Sequence, residues 1–276
     1  MNYLRLVLVI AFLSGSAAVP AAAPQAELWE RWTAHEPDSS LTVNHSEWDT
    51  FLDEYVRYSD SLEMNAVPYG EVSGEDVKRL EDYIAYLEGI PVSKLSRASQ
   101  KAFWINLYNA KTVSLVIEHY PIDSIREIKL SGLFTPGPWK EEILHVEGER
   151  LSLNDVEHRI LRPIWNDPRI HYAVNCASMG CPDLQKRAYT PELMEEMLEE
   201  GAERYINSDR GVAYEDGVLY LSSIYDWFAE DFGGSIEGVF AHLRSYASEE
   251  TREELAAYSG DLDYRYDWKL NEYTGN

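Results

Sequence analysis

The segment SQKAFWINLYNAKTVSLVIEHYP, residues 99–121, decides the fold. Apolar residues occupy nearly every side of the predicted helix from Ala102 to Ile117, so this helix has no polar face. A helix of this kind is stable only where other parts of the protein surround it. We therefore place it at the centre of the core and expect the remaining elements to pack around it.

The flanking sequence predicts helices before this segment and mixed structure after it. Residues 27–36, 46–59 and 73–90 show the three-and-four spacing of amphipathic helices. From Ser124 onward, short β-rich segments alternate with helical ones. The predicted strands are 125–130, 141–146, 149–153, 169–176, 211–214 and 218–222, and the predicted helices are 152–162, 190–206 and 236–247.

This order predicts an α+β protein in which an antiparallel sheet packs on the buried central helix. Glu147-Gly148 and Asp216-Gly217 mark hairpin turns, and short connections imply antiparallel strands. An amino-terminal helical segment, residues 24–66, is predicted to precede a main domain at 67–276. The acidic segment DLDYRYD, residues 261–267, lacks the glycine of a calcium loop and is predicted to be a solvated tail.

Composition excludes several classes of protein. The chain has 276 residues, of which 45% are hydrophobic and 26% charged, so it is long and apolar enough to fold without metal or disulfide. Its 48 acidic and 24 basic residues give a net charge of −24, which disfavours binding to nucleic acid or anionic lipid. The motifs of phosphate-binding loops, dinucleotide folds and zinc proteases are absent, so we predict no cofactor.

Residues 1–23, MNYLRLVLVIAFLSGSAAVPAAA, have the order of a secretory signal peptide. One positive charge precedes an apolar run from Leu6 to Leu13, and small residues follow. That run is shorter than the roughly 20 apolar residues needed to cross a bilayer, although an uncleaved membrane anchor is the alternative. We predict an exported protein, periplasmic or secreted, with no transmembrane segment after cleavage. Its partner would be a small molecule, a peptide or an envelope component.

Polar residues occupy positions that the helical pattern assigns to the core. Glu157 lies within the apolar stripe of the helix at 152–162, and His158 is its neighbour. A buried carboxylate is costly unless paired, so Glu157 either forms an ion pair with Arg162 or Arg169, or acts as a general base or as the group that orients one. Asn106 and Asn109 fall in the central helix, where their amides either bind backbone or fix a catalytic group.

His171 lies near the start of the predicted strand 169–176, Cys176 closes that strand, and Cys181 follows five positions later. A thiol at a strand-to-turn junction, near a histidine and a carboxylate, has the parts of an activated nucleophile, and backbone N–H groups of the turn would bind an oxyanion. In an exported chain the same pair would alternatively form a disulfide. The CxxxxC spacing disfavours zinc, and Ser178 in CASMG matches the nucleophile elbow incompletely.

The chain resembles the family of unknown function numbered 547 over about residues 95–235. The resemblance rests on KAFWINLYNAKT at 101–112, LSLNDVEHRILRP at 151–163, DPRIHYAVNCASMGCPDL at 167–184 and LSSIYDWFAEDFG at 221–233. It implies retained thiols rather than an obligatory disulfide, and it leaves the activity open. The family positions it matches here are Asn106, Asn109, Glu157, His158, Arg162, Arg169, His171, Cys176, Ser178, Cys181, Pro182, Trp227, Asp231 and Phe232.

Two hypotheses follow. In the first, the protein is a cysteine-dependent hydrolase or acyltransferase with an architecture like that of cysteine peptidases. Cys176 attacks an amide or ester carbonyl, His171 or His158 takes the proton, and Glu157 orients the imidazole. In the second, the protein is a non-catalytic periplasmic binding module whose Cys176–Cys181 disulfide holds the turn.

Overall fold

The computed structural model describes residues 23–130 and 137–275. The predicted signal peptide therefore lies outside the described residues, apart from Ala23. Within the described ranges, no helix combines the length and the hydropathy that a membrane crossing requires.

The central helix is confirmed. It spans Arg97–His119 and is capped by Ser96, whose side chain accepts a hydrogen bond from the backbone N–H of Ser99. The helix is buried almost without interruption from Gln100 to Val116. The helices in the described residues are α1 (Ser46–Tyr55), α2 (Gly74–Glu88), α3 (Arg97–His119), α4 (Arg162–Trp165), α5 (Met194–Ile206), α6 (Ile224–Trp227), α7 (Ile236–Tyr246) and α8 (Glu249–Ala257).

The segment that leads into α4 is wound differently. Asp155–Leu161 forms a π-helical stretch, and it packs on α3. Wider π turns occur frequently at functional sites. This stretch carries both Glu157 and His158, and Glu157 contacts Tyr108 of the central helix.

The α+β class is confirmed, but three small sheets replace the single predicted one. The strands are β1 (Arg57–Ser59), β2 (Met64–Ala66), β3 (Leu144–Val146), β4 (Glu149–Leu151), β5 (Val212–Glu215), β6 (Val218–Ser222) and β7 (Leu262–Arg265). β1-β2 and β3-β4 are antiparallel hairpins, whereas β5-β6-β7 is a mixed sheet in which β6 and β7 run parallel.

The prediction that a sheet packs on the central helix is wrong for the largest sheet. Leu219 and Leu221 of β6 lie in a second hydrophobic core with Val239 and Leu243 of α7. The apolar residues of α3 belong to the first core, which α1, α2 and the π-helical stretch share. The sheet therefore packs on helices from the carboxyl-terminal half of the chain.

Residues 169–176 do not form the predicted strand. Pro168–Tyr172 is a 3-10 helix, because Asp167 accepts a hydrogen bond from the backbone N–H of Arg169 and Pro168 is placed in the first turn. The alternating pattern of residues 169–176 reflects burial on several sides rather than two faces of a strand. In the same way, the predicted strand 125–130 contains the 3-10 helix Ile125–Glu127.

The first predicted helix, residues 27–36, is mostly extended with a short 3-10 turn at Glu30–Thr33. The backbone N–H of Glu27 donates to the carbonyl of His158, and that of Trp29 donates to the carbonyl of Arg159. These tertiary hydrogen bonds compete with the helical ones. The amino-terminal segment thus lies along the π-helical stretch.

The predicted solvated tail is instead part of the fold. Residues 262–265 form β7, and the chain continues along residues 177–180. There Gly180 donates to the carbonyl of Asp267, Met179 donates to that of Lys269, and Asn271 donates to that of Ala177. A Cβ on Gly180 would lie 2.8 Å from the backbone nitrogen of Asp267, so only glycine allows this approach.

Candidate functional site

The thiol of Cys176 is the centre of a compact polar cluster. Its Sγ lies 3.2 Å from the Sγ of Cys181, 3.2 Å from the Oγ of Ser178 and 3.0 Å from the Oη of Tyr266. Cys176 is partly exposed, whereas Cys181 is buried. Both residues are free thiols in this structure.

Two asparagines fix the backbone of this turn. Asn109 on α3 donates to the carbonyl of Ala173 at 2.8 Å and accepts from the N–H of Asn175 at 2.8 Å. Asn175 in turn accepts from the N–H of Ala177, which has the left-handed φ of +57° that a residue with a side chain rarely adopts. The core thus holds the residue after Cys176 in a strained conformation, a feature that clusters at functional sites.

Asn106, one turn before Asn109, makes the equivalent pair of bonds to another loop. It donates to the carbonyl of Tyr189 at 2.8 Å and accepts from its N–H at 3.0 Å. Both central-helix amides therefore bind backbone, and neither contacts an imidazole.

The pKa values of the two thiols move in opposite directions. The hydrogen bond with Cys181 is the largest influence on Cys176 and lowers its pKa. Burial opposes this, while hydrogen bonds with Ser178 and Tyr266 add to it. Burial raises the pKa of Cys181 well above its usual range, and the bond to Cys176 raises it further. Cys176 is thus the thiol that ionises first, and Cys181 keeps its proton.

Most of the backbone N–H groups that would form the expected oxyanion site are already used. The N–H groups of residues 176, 177, 179, 180 and 181 already donate within the protein. The hydroxyl of Ser178 donates to that of Tyr266 at 3.0 Å, and both hydroxyls lie beside the thiol.

A second cluster joins the predicted histidines to carboxylates. Nε2 of His171 donates to Oδ2 of Asp231 at 2.7 Å, and the same oxygen accepts from Nε of Arg162 at 2.6 Å. Burial raises the pKa of Asp231, but the hydrogen bonds from His171 and Arg162 outweigh it and hold this pKa well below its usual range. The ring of Phe228 stacks on His171 with 4.5 Å between centroids.

His158 is held as a neutral ring. Nη1 of Arg162 donates to its Nδ1 at 3.0 Å, which places the ring proton on Nε2. Burial lowers the pKa of His158 to about 4, Glu157 opposes this, and Arg162 adds to it. A base this weak, with one nitrogen already occupied, is poorly suited to take a proton from a thiol.

Glu157 has neither of the two arginine partners that the sequence suggests. Arg162 pairs with Asp231, and Arg169 pairs with Asp167. Glu157 accepts instead from the hydroxyl of Tyr108 at 3.1 Å. Its Oε1 lies 3.8 Å from Nδ1 of His158 and 3.8 Å from Nδ1 of His171.

Arg169 lies outside both clusters. It binds Asp167 with two nitrogens and also pairs with Glu195 and Glu199 on α5. Lys101 of α3 pairs with Asp167 from the other side at 2.8 Å. This network joins the 3-10 helix that carries His171 to α3 and α5.

The two clusters are adjacent but not in contact. No imidazole of the described residues lies within hydrogen-bonding distance of the Cys176 sulfur. Burial raises the pKa of Tyr108 well above its usual range, and the charges of Glu157 and Cys176 raise it further. The phenol of Tyr108, which donates to Glu157, is therefore influenced by charges of both clusters.

Tyr266 and Tyr108 are the site residues that sequence reasoning missed, and Asp231 entered only through the family resemblance. Tyr266 lies in a segment without an apolar pattern, and Tyr108 is one of many aromatics at helical spacing. Within residues 23–130 and 137–275, no three His, Cys, Asp or Glu side chains converge in a way that would hold a metal ion.

Comparison with known families identifies the segment that builds both clusters. Residues 92–206 match the family model described as "Protein of unknown function, DUF547". Residues 92–206 are therefore similar to this family. The matched segment contains α3, the π-helical stretch and the thiol turn, whereas Asp231 and Tyr266 are contributed from beyond residue 206. Comparisons with curated proteins and with solved structures give no significant match.

Proposed function

We propose that this protein is a cysteine-dependent hydrolase or acyltransferase that acts on an amide or ester, with Cys176 as its nucleophile. The observation that carries the proposal is the thiol of Cys176, a partly exposed residue, whose sulfur has three hydrogen-bonding groups within 3.2 Å and whose pKa is lowered. A thiolate is the reactive form of cysteine, and neighbouring donors stabilise it.

His171 is the imidazole that fits the role of general acid and base. Its bond to Asp231 orients the ring in the way that a carboxylate orients a catalytic histidine, while His158 is held neutral by Arg162. Because His171 does not touch the sulfur, we assign it to the leaving group rather than to the thiol. The Oε1 of Glu157 lies 3.8 Å from the Nδ1 of each imidazole.

These groups account for every bond and proton that changes in the reaction. The thiolate of Cys176 forms a bond to the carbonyl carbon, and the resulting oxyanion accepts hydrogen bonds from Tyr266 and Ser178. The C–N or C–O bond then breaks, and the leaving group takes a proton from the imidazolium of His171. Water, or an acyl acceptor, attacks the thioester, returns a proton to His171 and releases the thiolate.

The experiment is a burst assay with p-nitrophenyl acetate, together with mass spectrometry of the intact protein. A stoichiometric burst of p-nitrophenolate with a 42 Da adduct on Cys176, absent in Cys176→Ala, supports the proposal. The Cys176→Ala variant should keep the melting temperature of the wild type. If the adduct forms equally on other residues, or if the burst survives in Cys176→Ala, the proposal is wrong.

The 3.2 Å separation of the two sulfur atoms favours a second candidate, a non-catalytic binding module with a Cys176–Cys181 disulfide. We also propose export to the periplasm or out of the cell, on the basis of residues 1–23. Graded alkylation of protein purified from its native location tests both. Rapid labelling of Cys176 alone at neutral pH supports the enzyme, and a linked pair supports the module.

A further inference from the structure

The two cysteines of the chain lie in direct contact although neither is oxidised. Their sulfur atoms are 3.2 Å apart, and the backbone N–H of Cys176 donates to the Sγ of Cys181 at 3.0 Å. No other residue of the sequence is a cysteine. Each thiol is therefore the only one in the chain with which the other can form a disulfide.

Hydrogen bonds close the loop between the two cysteines without a covalent bond. Nδ2 of Asn175 donates to the carbonyl of Pro182 at 2.7 Å, which joins the residue before Cys176 to the residue after Cys181. The N–H of Cys181 also donates to the carbonyl of Ser178 at 3.1 Å. The turn thus keeps its two sulfurs together when both are reduced, as a pair that is oxidised and reduced repeatedly requires.

The two thiols differ in their access to solvent. Cys176 is partly exposed, whereas Cys181 is 3% exposed. The hydrogen bond with Cys181 also lowers the pKa of Cys176 against the effect of burial. Oxidation of cysteine follows exposure and thiolate character, so a small oxidant reacts with Cys176 first, and burial protects Cys181 from direct attack.

We propose that Cys176 reduces hydroperoxides, such as hydrogen peroxide, and that Cys181 is the resolving thiol that converts the product to a reversible disulfide. This activity goes beyond the proposed acyl transfer and does not depend on it. If Cys176 is also the nucleophile of acyl transfer, the disulfide switches that reaction off, because it removes the thiolate.

The oxidation takes two steps. The thiolate of Cys176 attacks one oxygen of the hydroperoxide: an S–O bond forms, the O–O bond breaks, and the departing alkoxide or hydroxide takes a proton from water. The sulfur of Cys181 then attacks the resulting sulfenic acid, the S–S bond forms, and the hydroxyl group leaves with the Cys181 proton as water. Two electrons have passed from the sulfurs to the hydroperoxide, and a dithiol reductant returns them.

The first step prepares Cys181 for the second. Burial raises the pKa of Cys181, and the hydrogen bond with Cys176 and the charge of Cys176 raise it further. The charge disappears when Cys176 becomes a sulfenic acid. Cys181 therefore loses its proton more easily at the stage at which it has to attack.

Mass spectrometry of the intact wild-type protein tests the proposal. The protein is reduced with dithiothreitol, freed of it, and treated with a tenfold molar excess of hydrogen peroxide. We expect the protein to lose two hydrogen atoms and both alkylatable thiols, and to recover them in dithiothreitol. An unchanged mass, a gain of oxygen atoms in place of the loss of hydrogen, or a disulfide that dithiothreitol does not reduce overturns the proposal.

Matched variants separate the roles of the two thiols. In Cys181→Ala, Cys176 should form a sulfenic acid that dimedone traps, and it should add further oxygen atoms at least tenfold faster than in the wild type. Cys176→Ala keeps only the buried thiol, which should react with hydrogen peroxide at least tenfold more slowly than Cys176 does in Cys181→Ala. Equal rates in the two variants contradict the unequal roles. The wild-type masses test the proposal even if Cys181→Ala does not fold.

The failure of this inference is distinguishable from that of the proposed function. The masses do not require turnover of an ester, so a reversible, peroxide-dependent disulfide in a protein without a p-nitrophenolate burst refutes the acyl transfer alone. A Cys176-dependent burst in a protein that forms no disulfide with hydrogen peroxide refutes this inference alone. Where both hold, peroxide should abolish the burst and dithiothreitol should restore it.

Discussion

The hydroxyl of Tyr266 lies 3.0 Å from the sulfur of Cys176, although 90 positions separate the two residues in the chain. The contact exists because the carboxyl-terminal segment runs along the thiol turn, joined to it by backbone hydrogen bonds at Met179 and Gly180. The reactive thiol therefore depends on two distant parts of the sequence.

This contact predicts the effect of Tyr266→Phe. Removing a hydrogen bond to a charged group costs about 1.5 kcal/mol, which corresponds to a rise of about one unit in the pKa of Cys176. The measurement is the rate of iodoacetamide alkylation as a function of pH. Tyr264→Phe is the matched control, because Tyr264 lies on β7 two positions away and makes no contact with the sulfur. An unchanged alkylation profile in Tyr266→Phe would contradict a role in stabilising the thiolate.

Substitutions of the two asparagines of α3 distinguish an effect on the stability of the protein from an effect on the reactivity of Cys176. Asn106→Ala and Asn109→Ala each remove two buried hydrogen bonds to backbone, so both should lower the free energy of unfolding by about 2 to 4 kcal/mol. Only Asn109 binds the turn that precedes Cys176. Urea unfolding should show similar losses for both variants, while the alkylation profile of Cys176 should change in Asn109→Ala alone. Equal changes in reactivity would mean that the effect on the thiol is a general loss of packing.

Substitutions of His171 and His158 should have different effects on turnover. His171→Asn should lower ester hydrolysis at least a hundredfold, because general acid–base groups typically contribute that much. Iodoacetamide alkylation of Cys176 should persist in this variant, since His171 does not touch the sulfur. His158→Asn should have the smaller effect on turnover, since its Nδ1 is occupied by Arg162. A larger loss in His158→Asn than in His171→Asn would reverse the assignment.

Sequence periodicity predicted the longer helices α1, α2, α3, α5 and α7, but it failed at residues 27–36, missed α8 and did not predict the contacts between distant segments. α2 and α3 each begin after a serine that caps the first turn, and their apolar spacing is regular, so local signals were sufficient. Residues 169–176 alternate like a strand, yet Asp167 and Pro168 start a 3-10 helix. The acidic segment at 261–267 is held largely by backbone pairing, which leaves no apolar pattern in the sequence. No local sequence pattern therefore predicted the contact between Tyr266 and the Cys176 thiol.

The pairing of carboxylates with arginines and a lysine predicts acid sensitivity. Burial raises the pKa of Asp167, but hydrogen bonds from Arg169 and Lys101 outweigh it and lower the value to about 2. A depressed folded-state pKa contributes stability that is complete above the unfolded value of about 3.9 and is lost as the pH falls through about 2. The contribution is at most about 2 kcal/mol.

Thermal unfolding of Asp167→Asn between pH 5 and pH 2 tests this expectation. The variant should be less stable than the wild type at pH 5, and the difference should shrink toward pH 2 as Asp167 becomes protonated in the wild type. Asp82→Asn is the control, because it removes an exposed ion pair with Lys78 that contributes little. A stability difference for Asp167→Asn that does not depend on pH would show that the residue acts through packing alone.

The state of the two sulfurs decides between the enzyme and the binding module. If Cys176 and Cys181 form a disulfide, Cys176→Ser and Cys181→Ser should each lower the free energy of unfolding by about 2 to 4 kcal/mol. Dithiothreitol should then destabilise the wild type by the same amount and leave both variants unchanged.

If the thiols stay reduced, dithiothreitol should have no effect on the wild type. The reduced state also predicts unequal variants, because Cys181 is buried and Cys176 is partly exposed, so Cys181→Ser should be the more destabilising of the two. Because Cys181 donates to the Cys176 thiolate, Cys181→Ala should also raise the pKa of Cys176, which a structural disulfide would not predict.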